Sequence, residues 1–183
     1  MISYFNSTIF RKTLAGLTGL FLVLFLLGHL LGNLQLFIPG EDGQRQFNEY
    51  ALFMTTNPAV KILSVLTYSS IILHTVLTLF LVFQSSNARE VKYLQSSGNA
   101  NSTWGSKNMA VLGTLILVFI VIHMKSFWYE MHFGVIGLDP WGNKDLHTVT
   151  VTAFNELWYV LFYVLSMVIL AVHLKHGVES VFQ

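Results

Sequence analysis

The chain has 183 residues, of which 54% are hydrophobic and only 10% are charged, and its formal net charge at pH 7 is +1. Because soluble domains carry about 25% charged residues, this composition excludes an ordinary soluble protein and predicts an integral membrane protein. The chain contains no cysteine, which excludes disulfides, iron–sulfur clusters and covalently attached haem c within it, and no run of like charge indicates a nucleic-acid partner.

Four apolar segments reach the length of about 20 residues that an α-helix needs to cross a bilayer. The first follows Arg11 and Lys12, is longer than the apolar core of a signal peptide and lacks a small-residue cleavage pattern, so we expect a retained membrane helix. Together the segments predict an all-α integral membrane fold, a four-helix transmembrane bundle that forms one domain over residues 1–183. In chain order, the predicted spans cover about 13–38, 59–84, 108–133 and 154–181.

The three connections between these spans, residues 39–50, 85–107 and 134–148, are polar and carry the Gly, Pro, Asn and Ser typical of turns. Five Lys and Arg residues lie in the N-terminal segment and second connection, against about three in or beside the other two connections. By the positive-inside rule, this bias predicts that both termini lie inside. The four tryptophans lie near predicted span ends, as an interfacial aromatic belt requires.

Each predicted span contains a histidine, and the four, His29, His74, His123 and His173, are separated by 45, 49 and 50 residues. An ionisable side chain inside a bilayer is costly and by default marks a transport pathway or a cofactor. His29 and His123 follow the basic residues at the start of their spans by 17 and 16 residues, which puts both about 25 Å from the inner edge. His74 and His173 lie on spans that run inward and can meet in the inner half.

The two histidines of each pair are predicted to lie at the same depth in the membrane. Two such pairs of neutral imidazoles on four helices suit two haem groups, each held between two histidines in the bundle. The metal-based alternative is a structural zinc site, which would gather all four histidines around one ion. Neighbouring glycines such as Gly28, Gly32 and Gly177 suit the close approach of a flat macrocycle and equally suit helix packing.

For other polar residues near the spans, the sequence allows two interpretations of the side chain's environment. His132 and His147 lie at or beyond the outer boundary and are predicted to be solvated or near lipid headgroups. His176, three residues after His173, is predicted to contact a haem propionate or lipid rather than iron. Lys125 is either a cation that extends towards the membrane surface or a partner of a propionate.

Several stretches carry a family resemblance: "KTLAGLTGLFLVLFLLGHLLGNLQLF" (12–37), "FNEYALF" (47–53), "FIVIHMKSFW" (119–128) and "HLKHGVESVFQ" (173–183). With His74 they make the chain resemble, over nearly its whole length, the dihaem cytochrome b membrane-anchor subunit of succinate:quinone oxidoreductases (succinate dehydrogenase or fumarate reductase). The spacing of four residues from His173 to Gly177 matches the family pattern around its fourth haem ligand, which favours His173 over His176 as that ligand.

The resemblance implies that the bundle encloses two haem b groups, the outer one ligated by His29 and His123 and the inner one by His74 and His173. It also implies a flavoprotein subunit and an iron–sulfur subunit docked on the inner face, in a bacterial cytoplasmic membrane with both termini cytoplasmic. Electrons would pass between the iron–sulfur subunit, the haems and a membrane quinone, with menaquinone expected. The chain has no flavin or nucleotide motif, so the dicarboxylate reaction is assigned to a partner subunit.

The chain departs from the family at two points. Family members carry one more span after the segment that matches 173–183, so we expect either residues beyond Gln183 or a helix supplied by a further membrane chain. Some dihaem fumarate reductases have a glutamate two residues before the fourth ligand, as part of a proton route. That position is Ala171 here, which argues against such a route.

Glu49 is the candidate for proton exchange beside an outer quinone, with Tyr50 and Asn33 near it. A solvated loop acid is the alternative interpretation of Glu49. Asn33, one turn after His29, has three candidate partners: a propionate, a quinone or a neighbouring helix.

Two other functions remain open from the sequence. The chain could be the haem-bearing anchor of another respiratory dehydrogenase, such as a hydrogenase or formate dehydrogenase. It could also be a haem-free anchor or small transporter that uses its histidines as proton relays.

Overall fold

The computed structural model describes residues 7–87 and 104–181, and within them the chain is helical, with one isolated bridge between Leu138 and Lys144. A one-turn helix, Trp104–Lys107, precedes the third long helix. The main helices are α1 (Thr8–Asn33, continued by the 3-10 turn Leu34–Phe37), α2 (Gly40–Thr56), α3 (Pro58–Asn87), α4 (Met109–Phe133), α5 (Leu146–Phe154) and α6 (Leu157–Val181).

Four helices, α1, α3, α4 and α6, are long and apolar enough to cross a membrane. Their mean hydropathies lie between 2.0 and 2.3, and most of their large apolar side chains are exposed, as lipid-facing side chains are. The prediction of a multi-pass protein with four apolar helices is therefore confirmed, and the helix bounds differ from the predicted spans by only a few residues. Arg89 and Lys92, two of the residues behind the predicted orientation, lie outside the described residues.

Local side-chain hydrogen bonds explain where these helices begin. The Ser7 hydroxyl accepts the backbone N–H of Phe10 at 3.1 Å at the start of α1. The Asn57 side chain accepts the N–H of Ala59 at 2.9 Å, and Pro58 then occupies the first position of α3, where its missing N–H costs nothing. Inside the spans, hydroxyls bond to the carbonyl four residues earlier, which satisfies them in an apolar setting: Ser64, Thr67, Thr78, Thr114 and Ser166.

The first connection is an ordered helix, so its interpretation as a turn-rich link was wrong. Residues 40–56 form α2, with Glu41 and Asp42 in the first turn, where carboxylates favour the helix dipole. Only a narrow face is buried, including Phe47, Asn48 and Ala51. Because residues 40–50 are mostly polar, the segment has the composition of a loop although its apolar residues keep the helical spacing.

The third connection also contains helix. Residues 146–154 form α5, whose first turn is capped by Asp145, since its carboxylate accepts the N–H of Thr148 at 3.1 Å. A break at Asn155 and Glu156 separates α5 from α6. The fourth long helix therefore begins at Leu157, and residue 154 belongs to the helix before it.

The long helices pack as two pairs, α1 with α3 and α4 with α6, and fewer contacts join one pair to the other. At one end, α2 packs against α5 and against the start of α3. We call α2, residues 134–145 and α5 together the cap. On the predicted orientation, the cap lies on the outer side.

A buried polar network joins the two halves of the cap. The Asn48 side chain is 0% exposed, and its amide donates to Asp139 at 3.1 Å and to Asp145 at 3.0 Å. Its oxygen accepts the backbone N–H of His147 at 2.9 Å, while Gln44 donates to Asp145 at 2.8 Å. His147, predicted to be solvated or near lipid headgroups, is partly buried, and its peptide N–H is fixed by this network at the start of α5.

The two cap carboxylates should make stability depend on pH. Burial raises the pKa of Asp139, but hydrogen bonds from Asn143, Asn48 and Trp141 outweigh it and hold that pKa below its ordinary value of 3.8. At Asp145, burial is likewise outweighed by bonds from Thr148, Asn48 and Gln44, and the pKa is lowered. A lowered folded-state pKa contributes stability above about pH 4, and this stability is lost as pH falls through the folded-state value.

We therefore expect the thermal unfolding temperature of the detergent-solubilised protein to fall as the pH is lowered from neutrality to about pH 3. An Asp139→Asn, Asp145→Asn double variant should be less stable at neutral pH and show a shallower fall. The explanation would be contradicted by a double variant that retains the full acid sensitivity of the wild type.

Candidate functional site

The structure brings the four span histidines together as two pairs. The ring centroids of His29 and His123 are 5.6 Å apart, and the ring planes meet at 84°. His74 and His173 form the second pair, since they lie beside Gly19 of α1 and Gly113 of α4, each of which precedes the histidine of its own helix by ten residues. Each long apolar helix thus contributes one imidazole, and each pair joins a helix of the α1–α3 pair to a helix of the α4–α6 pair.

The two pairs lie at different levels along the bundle. On α1, Gly19 faces His74, since an added Cβ there would lie 3.0 Å from the ring carbon Cε1. On α4, Gly113 faces the ring of His173 at 3.6 Å by the same measure. Each of these glycines precedes its own helix's histidine by ten residues, which is about 15 Å along a helix. The geometry therefore contains two separate imidazole sites.

Aromatic rings surround the pair formed by His29 and His123. The rings of Phe119 and Phe127 lie 5.7 and 5.5 Å from that of His123, and Phe25 stacks on His29 at 5.5 Å. Despite these neighbours the His29 side chain is exposed, and the space where Gly28 would carry a Cβ is open within 4 Å. The imidazole of His29 therefore has open space beside it near the C-terminal end of α1, where a bound group could be accommodated.

Hydrogen bonding at the second pair fixes one tautomer. A carbonyl oxygen can only accept, so the contact of 3.0 Å between Nδ1 of His74 and the oxygen of Ala15 requires Nδ1 to carry the hydrogen. Nε2 of His74 then keeps its lone pair. On the other side, Nδ1 of His173 is buried and has no hydrogen-bond partner among the described residues.

This donor set fits a metal held between two imidazoles. A histidine ligand commonly donates its second N–H to a carbonyl, as His74 does to Ala15. Nδ1 of His173 is a buried nitrogen without a hydrogen-bond partner among the described residues, so the protein does not fix the tautomer of this imidazole. Within the described residues, no three His, Asp or Glu side chains are grouped to hold an ion, and the offset between levels does not fit one zinc ion with four histidine ligands.

Lys125 and His176, the two candidate propionate contacts, differ in their surroundings. The Lys125 ammonium lies 2.6 Å from the Glu130 carboxylate and 4.8 Å from the centre of the Tyr129 ring. Residues 124–129 are π-helical, so a spacing of five residues brings Lys125 and Glu130 together. His176 is partly buried one turn beyond His173. Their propionate contacts stay predictions.

Glu49, the candidate for quinone proton exchange, is exposed on α2 and forms an ion pair of 2.8 Å with Arg45. Tyr50 packs directly against Gly32, so this glycine makes room for the cap. Asn33 donates to the carbonyl of His29 at 2.8 Å and lies 3.4 Å from Nε2 of the same residue. Among the residues that the structure describes, the Asn33 side chain has no hydrogen-bond partner on a neighbouring helix.

Sequence reasoning missed two tyrosines of this site. The hydroxyl of Tyr163 lies 2.9 Å from Nδ1 of His123, and the hydroxyl of Tyr159 lies 3.1 Å from that of Tyr163. The available signal was their spacing of four residues, which puts two phenols on one face of an apolar helix. Gly19 and Gly113 were missed because the level of their partner histidines on other helices cannot be read locally.

No protein-family model, curated protein sequence or solved structure matches this chain.

Proposed function

We propose that the chain is a haem b membrane-anchor subunit of a succinate dehydrogenase or fumarate reductase. In this role it would carry electrons between an iron–sulfur subunit and a membrane quinone, with menaquinone as the expected quinone. The observation that supports this most directly is the arrangement of four span histidines as two pairs about 15 Å apart along the helices.

The chain's own residues would do three things in this role. His29 with His123, and His74 with His173, would each hold one haem b, which supplies a one-electron carrier when bound. The carbonyl of Ala15 keeps the hydrogen of His74 on Nδ1, so Nε2 is the nitrogen that would hold the iron. In a bilayer the apolar helices would exclude water from both sites, which would keep the imidazoles neutral and suited to ligation.

The assignment to succinate or fumarate chemistry comes from the resemblance of the four sequence stretches, not from the histidine geometry. We propose accordingly that a flavoprotein and an iron–sulfur subunit dock at the end of the bundle opposite the cap. The quinone would then react near the cap, where Glu49 is available on the surface of α2 for proton exchange and Arg45 balances its charge.

Haem content and subunit composition test this proposal together. The complex purified intact from native membranes is expected to contain two haem b per chain, with a b-type α band in its reduced-minus-oxidised spectrum. It should also contain a flavoprotein and an iron–sulfur protein that interconvert succinate and fumarate. The same haem content with hydrogenase or formate dehydrogenase subunits would identify a different respiratory anchor, and the absence of the α band would leave a haem-free anchor or transporter.

A further inference from the structure

A short chain of hydroxyl groups leads from His123 along α6. The Tyr163 hydroxyl lies 2.9 Å from Nδ1 of His123 and 3.1 Å from the hydroxyl of Tyr159. Both tyrosines are on one face of α6, four residues apart, and Tyr159 is only 5% exposed. The contact therefore forms in a dry environment, where a hydrogen bond is electrostatically stronger than in water.

Aromatic packing holds this chain in place. The Tyr163 ring lies 5.0 Å from Phe119 and 4.8 Å from Phe154, in edge-to-face geometry with both, and Phe127 packs edge-on against Tyr159 at 6.4 Å. Such contacts restrict the phenol ring to one orientation. The hydroxyl is consequently aimed at Nδ1 of His123 by packing, and does not depend on the imidazole to hold it there.

The direction of hydrogen bonding follows from the role proposed for His123. If Nε2 is the ligating nitrogen, Nδ1 carries the hydrogen and donates it to the Tyr163 oxygen. The hydrogen of a hydroxyl rotates freely, so Tyr163 can in turn donate to Tyr159. Donation from the second ring nitrogen fixes the orientation of a histidine ligand and increases its basicity.

We propose that Tyr163 is a positioning residue for His123. Its hydroxyl holds the His123 imidazole nearly perpendicular to that of His29 and increases the electron donation of the His123 imidazole. Tyr159 supports Tyr163 in this role. This inference rests on the proposed function, since it concerns a haem held by His29 and His123. A more basic ligand stabilises the oxidised iron, so the hydrogen bond lowers the midpoint potential at this site. At the other site, Nδ1 of His74 donates to the backbone carbonyl of Ala15 and lies 3.3 Å from the Thr18 hydroxyl, so among the described residues a phenol at Nδ1 is found only at the His123 site.

The test is a redox titration of the intact complex carrying Tyr163→Phe, followed through the haem absorbance. Phenylalanine keeps the ring and its packing and removes only the hydroxyl. We expect an upward shift of one midpoint potential and no change in the other. The electron paramagnetic resonance signal of the same haem should also change, since it depends on the angle between the two imidazole planes. Tyr68→Phe is the matched control: Tyr68 lies in α3 beside Trp128, and its hydroxyl makes no hydrogen bond within the described residues.

Tyr159→Phe provides a second measurement if Tyr163→Phe fails to bind one haem. This variant keeps the direct contact with His123 and removes the support behind it, so a smaller upward shift of the same potential is expected. Two haems with unchanged potentials in both variants would overturn the inference and leave the proposed function standing. Absence of haem from the wild-type complex would overturn the proposed function itself.

Discussion

Replacement of His123 by alanine is expected to remove one of the two proposed haem groups from the complex and to leave the other in place. The reason is that the His29–His123 and His74–His173 pairs are separate sites, offset by about 15 Å along the helices. A haem that loses one of two axial imidazoles loses half of its protein ligation, whereas the other pair keeps both of its ligands. The measurement is haem per chain in the purified complex, together with the potential of the remaining haem.

Three further variants make this result specific. His29→Ala should remove the same haem as His123→Ala, and His74→Ala should remove the other one, which the remaining midpoint potential identifies. His132→Ala is the matched control, because His132 is exposed near the end of α4 and bonds to the carbonyl of Trp128 in its own helix. The pairing would be refuted if His29→Ala and His123→Ala removed different haems, or if either variant kept both.

The parts of this structure that could be predicted are those dictated by the bilayer. Backbone polar groups have no water partner in hydrocarbon, so each crossing is a continuous apolar helix that a sequence window detects. The bilayer also makes a histidine such as His29 conspicuous, because an ionisable residue among leucines and phenylalanines is costly there and indicates a function. Rise per residue then gives its depth without knowledge of its neighbours.

The parts that could not be predicted depend on contacts between segments far apart in the chain. Asn48 is satisfied by Asp139 and Asp145, about a hundred residues away, so nothing around residue 48 distinguishes it from an exposed loop asparagine. The π-helical turn after His123 has no sequence marker of its own, although it determines which residue meets Lys125. Tyr163 could be recognised only once α6 was known to face His123.

Asn48→Ala is expected to lower the free energy of unfolding by about 2–3 kcal/mol, because the variant loses buried hydrogen bonds to two charged carboxylates. Asn48 is the only completely buried large side chain among the described residues, and its amide donates to both cap carboxylates. Alanine leaves Asp139 and Asp145 without these donors and also leaves the N–H of His147 without its acceptor. Water that enters the cap would offset part of this loss.

The loss should extend from the cap to the nearer histidine pair. Phe154, the last residue of α5, packs against Tyr163 at 4.8 Å between ring centres, and Tyr163 contacts His123. Denaturant unfolding in detergent measures the change in stability, and haem release on heating, followed at both potentials, shows which site opens first. Gln46→Ala is the control, since Gln46 is exposed on α2 and substitutions of this kind stay within about 0.5 kcal/mol. Equal stability of the two variants would mean that the cap is held by apolar packing and not by Asn48. Equal loss of both haems from Asn48→Ala would mean that the cap does not act on the His29–His123 site in particular.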